Sequence, residues 1–165
     1  MKSEKLKREI KILLYVLVGG LAVSGVTAFP IHTELGYAHD LIASFHLNNS
    51  LTNWIENVYA GVNAVDTKYP FIAYGTDWLA FAHLLLALLF IGIIKEPVKN
   101  IWVIEFGLIS CVAIFPLAFI AGTVRGIPFL WQLIDCSFGI FGGIVLWMCY
   151  MRVKQLAKLT ALQID

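Results

Sequence analysis

The feature that most constrains this chain is the recurrence of four apolar runs, residues 10–29, 73–94, 101–121 and 129–150. A hydrocarbon core of about 30 Å is crossed by ~20 helical residues, and each run reaches that length. Inside lipid the backbone must satisfy its own polar groups, which for uninterrupted runs of this kind means helices. Hydrophobic residues make up 59% of the 165 and charged residues 14%, a balance that excludes an ordinary soluble domain. The expected fold is an all-α bundle of four transmembrane helices in a single polytopic domain spanning residues 1–165. Its outer loop covers residues 30–72 and its tail residues 151–165.

The first run follows several Lys and Arg residues, as a signal peptide would. It exceeds the usual ~7–15-residue apolar core of such peptides, and no convincing A-x-A site precedes Pro30, so it is expected to be retained as a span. Orientation follows from the basic residues. Lys2, Lys5, Lys7, Arg8, Lys11, Lys95, Lys99, Arg152, Lys154 and Lys158 fall on one side, ten of twelve, leaving Lys68 and Arg125 for the other. The positive-inside rule then places both termini in the cytoplasm and the protein in the inner (plasma) membrane. A net charge of +1 without a concentrated basic face excludes nucleic acid as a partner.

The outer loop is patterned. Leu51, Trp54, Ile55, Val58, Tyr59 and Val62 recur at helical spacing after Ser50, a good N-cap residue, and predict an amphipathic helix. Leu35, Ala38, Ile42 and Phe45 give a weaker helical pattern, either extending the first helix past Pro30 or lying over the bundle mouth in the headgroup plane. His32, His39 and His46 are spaced by seven, about 10.5 Å along a helix, too far for one ion to join two of them. No metal and no cofactor are expected, and these are read as interfacial histidines, with His39 and Asp40 as a local pair. Cys111, Cys136 and Cys149 lie in apolar runs without a C-x-x-C, so they read as small packing residues.

Ionisable residues inside a span are functional candidates by default. Counting from the outer rim, His83 lies six residues beyond Asp77 and Asp135 six beyond Phe129, each about 9 Å down. Gln132 and Trp131 sit three and four residues before Asp135. Pro116 should leave the Val112 carbonyl unpaired, and Arg125, with Thr76 and Thr123 near it, should meet Asp77 at the rim. The expected ligand-binding set is Asp77, His83, Arg125, Trp131, Gln132 and Asp135, with His83 and Asp135 as candidates for proton transfer. Trp78, Phe81, Trp131 and Phe138 would line the pocket. Interhelical packing by hydrogen bonds is the competing reading of the same residues. Glu105, nearer the inner face, is expected to pair with Lys95, Lys99 or Lys11. Gly139/Gly143 and Gly20/Ser24 form small-x-x-x-small pairs suited to close helix packing, in the bundle or in a homodimer.

The stretches "AFPIHTELGYAHDL", "YPFIAYGTDWLAFAH", "KEPVKNIWVIEFG" and "VRGIPFLWQLIDCSFG" together resemble a family of bacterial four-helix integral membrane proteins. That resemblance covers nearly the whole chain and implies a fold and a location but no activity. The layout of one helix, a long outer segment and three closely spaced helices is also similar to the EXPERA family of sterol isomerase and sigma-2 receptor type. EXPERA proteins hold amphipathic ligands between helices with acidic residues, and no EXPERA motif is matched here residue by residue. The leading expectation is a non-enzymatic membrane protein binding a small amphipathic ligand or a partner membrane protein. The alternatives are an enzyme moving protons on a lipid-like substrate and a small dimeric transporter.

Overall fold

The computed structural model describes residues 2–45 and 50–161. Among these the chain is helical and has no strands. Helices α1 (Lys2–Ala28), α2 (Ile31–Ser44) and α3 (Ser50–Lys68) precede a 3-10 turn (Pro70–Ile72), then α4 (Tyr74–Ile93), α5 (Ile101–Val124) and α6 (Phe129–Ala161). Helices α1, α4 with the turn before it, α5 and α6 are long and apolar enough to cross a membrane, the architecture of an integral membrane protein.

The breaks between helices have local causes. Pro30 has no N–H to continue α1, and its carbonyl instead accepts the Glu34 N–H at 3.0 Å to start α2. The segment after Pro30 is therefore a separate helix, not an extension of the first. Tyr69 precedes a proline, adopts φ −140° and ends α3 at Lys68. After α5, Gly126 takes φ 69°, a left-handed conformation that favours glycine. Its N–H donates to Thr123 O at 3.2 Å while that of Ile127 donates to Gly122 O at 2.8 Å, closing a Schellman turn. Pro128 then accepts the N–H groups of Trp131 and Gln132 at 2.9 and 3.1 Å and opens α6.

Two helices overrun the apolar runs that announce them. α1 begins at Lys2, its charged first turns tied by Lys7–Glu4 at 3.1 Å and Lys5–Glu9 at 4.0 Å. α6 continues beyond Tyr150 to Ala161 because nothing there breaks it and Met, Arg, Lys, Gln, Leu and Ala are good helix formers. Pro116 lies inside α5 without ending it.

The chain forms two compact units, Met1–Gly19 with Ala87–Asp165, and Gly20–Leu86. In the first, α6 buries one seam, Gln132, Cys136, Gly139, Leu146, Cys149, Val153 and Leu156, at intervals of three, four and seven. Gly139 meets α5 so closely that a Cβ there would stand 2.7 Å from Cys111 O, whereas one at Gly143 would stand 3.7 Å from Cys111 Cβ. The Gly139/Gly143 pair is thus used within the α5–α6 hairpin, while Gly20 of the other small-residue pair faces open space. α1 adds a buried stripe, Leu6, Ile10 and Leu14. Glu9 accepts a 2.8 Å ion-paired hydrogen bond from Arg152 Nε on α6.

In the second unit α2 lies along α3. His32, Gly36 and His39, at i, i+4 and i+7, form the contacting face, and Tyr59 receives them: its ring stacks on His39 at 4.5 Å and on His32 at 6.2 Å. His32 Nε2 also meets Asn63 Oδ1 at 3.1 Å, and His39 Nδ1 meets Asp40 at 3.3 Å. Spacing by seven thus serves two histidines that grip one tyrosine, while His46 lies outside the described residues. On α3, Trp54, Ile55, Val58, Tyr59 and Val62 are half-buried and Asn53, Glu56, Asn57, Ala60 and Gly61 exposed.

Candidate ligand-binding site

The N-terminal end of α4 carries a cleft of about 230 Å³ lined by Phe29, Tyr74, Asp77, Trp78 and Phe81. Helix packing places these residues together. Gly25 on α1 approaches α4 until a Cβ would lie 2.9 Å from Ala80 O, and Ala80 is fully buried. One turn beyond Gly25 is Phe29, and one turn before Ala80 is Asp77, so the tight crossing carries Phe29 and Asp77 into the same cleft. On α4, Trp78 meets Tyr74 edge to face at 6.0 Å and 81°, and Phe81 at 6.1 Å and 83°. The four rings stay substantially exposed, from 44% for Phe29 to 61% for Tyr74, and Asp77 is half-buried among them.

Asp77 lies in the first turn of α4. The positive end of the helix dipole accounts for an acidic residue there. It does not account for four rings around it. Within Gly20–Leu86, and among the described residues, Asp77 forms no ion pair. His32 and His39 approach Asp66 at 4.0 Å and Asp40 at 3.3 Å, and Lys68 is exposed at the end of α3.

His83 is half-buried, and its Nδ1–H donates to Leu79 O of its own helix at 2.8 Å. A carbonyl only accepts, so the neutral ring carries its proton on Nδ1 and keeps Nε2 as an acceptor. His83 does not line the cleft.

The remaining expected site residues belong to the other unit. Arg125 is exposed and caps α5, its N–H donating to Ala121 O at 2.9 Å. Gln132 is buried, and its Nε2 donates to Ile127 O at 2.7 Å. The Gln132 side chain occupies the space a Cβ at Gly122 would need, 2.8 Å from its Cδ. It is the internal brace of the α5–α6 turn. Trp131 is half-buried; Asp135 is exposed on the flank of the α6 seam, without a hydrogen bond or ion pair among the described residues of its own unit.

The Thr123 hydroxyl, expected at the rim, returns to Phe119 O of its own helix at 2.6 Å, as do those of Ser137 to Ile134 O at 2.6 Å and Ser110 to Phe106 O at 2.9 Å. Among the described residues Glu105 does not take the expected ion pair. Lys99 is held by Glu96 at 2.6 Å, three residues away, and Glu105 is exposed. Phe29 and Tyr74 are the cleft residues that reasoning from sequence missed, since each sits at a helix end and looks like an interfacial aromatic. No group of three or more His, Cys, Asp or Glu side chains suited to a metal occurs among the described residues. No family model, curated protein or solved structure matches this chain.

Proposed function

We propose that this protein binds a small amphipathic ligand at the outer face of the inner membrane, in the cleft of Phe29, Tyr74, Asp77, Trp78 and Phe81. The observation that carries the reading is one carboxylate held among four exposed rings where α1 and α4 cross. Ligand sites are mostly apolar, with few polar groups that fix orientation. At about 230 Å³ the cleft is smaller than the ~300–1,000 Å³ of sites for drug-sized molecules, which suits a headgroup or chain end with the rest of the ligand in lipid.

In this reading both termini are cytoplasmic, and α2 and α3 lie on the outer side of the membrane. Tyr37, Leu41 and Phe45, exposed at 73%, 61% and 63%, stand opposite the histidine face of α2 and give the amphipathic segment its contact with the headgroup zone. Trp78 and Tyr74 sit at the depth where aromatic belts form. Proton-transfer chemistry has less support, because His83 does not line the cleft that holds Asp77.

Photolabelling tests the proposal. An uncharged single-chain amphiphile bearing a diazirine, irradiated with the protein in nanodiscs, should label peptides containing Phe29 and residues 74–81, and excess unlabelled amphiphile should suppress the label. Unsaturable labelling spread over all lipid-facing positions would refute it.

A further inference from the structure

Resting on that cleft as the binding site, we infer that the group it takes is an organic cation of the quaternary or tertiary ammonium type. Three observations converge. The cleft has one carboxylate, Asp77, and the basic side chains of its own unit do not pair with it among the described residues: His32, His39 and His83 have partners elsewhere, and Lys68 forms no ion pair. A headgroup with a positive charge supplies what the unit does not.

The walls are rings set at right angles. Trp78 stands at 81° to Tyr74 and 83° to Phe81, so neighbouring rings present their faces in different directions, like adjacent sides of a box. Ring faces attract cations through their quadrupole, and aromatic boxes of this kind suit alkylated ammonium groups, whose charge is spread over methyl surfaces.

Competing chemistries fit less well. Small metal cations need several oxygen ligands at short range, and no metal-ligating cluster occurs among the described residues. An anionic headgroup would face Asp77 directly. A neutral headgroup would leave that carboxylate uncompensated between apolar walls, which is costly. The shared chemistry is an alkylated ammonium, carried either by a free amphiphile or by the choline head of a phospholipid.

Competition against a radiolabelled dodecyltrimethylammonium probe tests the assignment, using full-length protein in nanodiscs of uncharged, choline-free lipid. Unlabelled dodecyltrimethylammonium should compete at least tenfold better than a dodecyl chain ending in the neutral tert-butyl isostere. Asp77→Asn should weaken the cation about tenfold or more and leave the isostere unchanged. Trp78→Leu should weaken both. Competition by soluble tetramethylammonium would point to a free cation, and competition by dodecylphosphocholine alone would point to a lipid head; both outcomes support the class. Equal competition by cation and isostere, indifferent to Asp77→Asn, overturns the cation while leaving an amphiphile cleft in place. Absence of saturable binding by either probe overturns both. Circular dichroism and monodisperse elution establish that each variant is folded.

Discussion

Replacing Gly139 with alanine is expected to destabilise the α5–α6 hairpin, whereas the same change one turn on, at Gly143, is not. A Cβ at position 139 would stand 2.7 Å from the carbonyl oxygen of Cys111, about 0.7 Å inside the 3.4 Å at which ordinary contact begins. The obstructing atom belongs to a backbone in mid-helix, so relief requires α5 and α6 to separate rather than one side chain to turn. Overpacking of this kind costs about 1–3 kcal/mol. At position 143 the new methyl would lie 3.7 Å from Cys111 Cβ, an ordinary contact. Both substitutions share the gain of up to about 1 kcal/mol from removing a helix-interior glycine, so that gain cancels in the comparison. The remaining difference, about 2 kcal/mol, is the steric cost alone. Reversible unfolding in mixed micelles with increasing sodium dodecyl sulfate, followed by circular dichroism, measures it. Gly143→Ala should match or exceed the parent and Gly139→Ala fall below it. Equal stabilities within ~0.5 kcal/mol, the usual scatter for innocuous substitutions, would refute the close approach.

The brace at the α5–α6 turn gives a second expectation. Gln132→Leu removes the donor to Ile127 O and should cost about 1–3 kcal/mol in the same unfolding assay, because that carbonyl loses its partner. Tyr59→Leu removes the ring gripped by His32 and His39. Hydrogen exchange should accelerate across residues 31–44 with α5 and α6 unchanged, and unaltered exchange there would argue against the clamp.

The four spans were legible because hydrophobic length in a bilayer is a one-dimensional quantity. The turn after α5 was legible too, since glycine and proline act locally. What escaped is the direction in which side chains on those helices point. Gln132 read as a pocket residue because a span rich in apolar groups makes any amide conspicuous. The amide's actual partner, five residues back at Ile127, depends on the Schellman turn bringing that carbonyl over the helix start. Thr123 was conspicuous for the same reason and bonds within its own helix. His32 and His39 were read as interfacial histidines without a partner on another helix. Their common partner was not visible, because it lies on α3, twenty or more positions along the chain. The ends of α1 and α6 were misjudged by hydrophobicity, which marks where lipid is crossed and not where a helix stops.

The bond between Glu9 and Arg152 joins residues 143 positions apart, at opposite ends of the chain. At ~5–20 residues per second of synthesis, that separation is about 7–30 s. The first span therefore leaves the ribosome long before the last, and Glu9 must wait for its partner until α6 is made. α5 and α6 are joined by a short turn and find each other almost at once. The order of birth makes the Glu9–Arg152 latch a late contact, and a nascent chain stalled before Arg152 would carry the N-terminal helix without it.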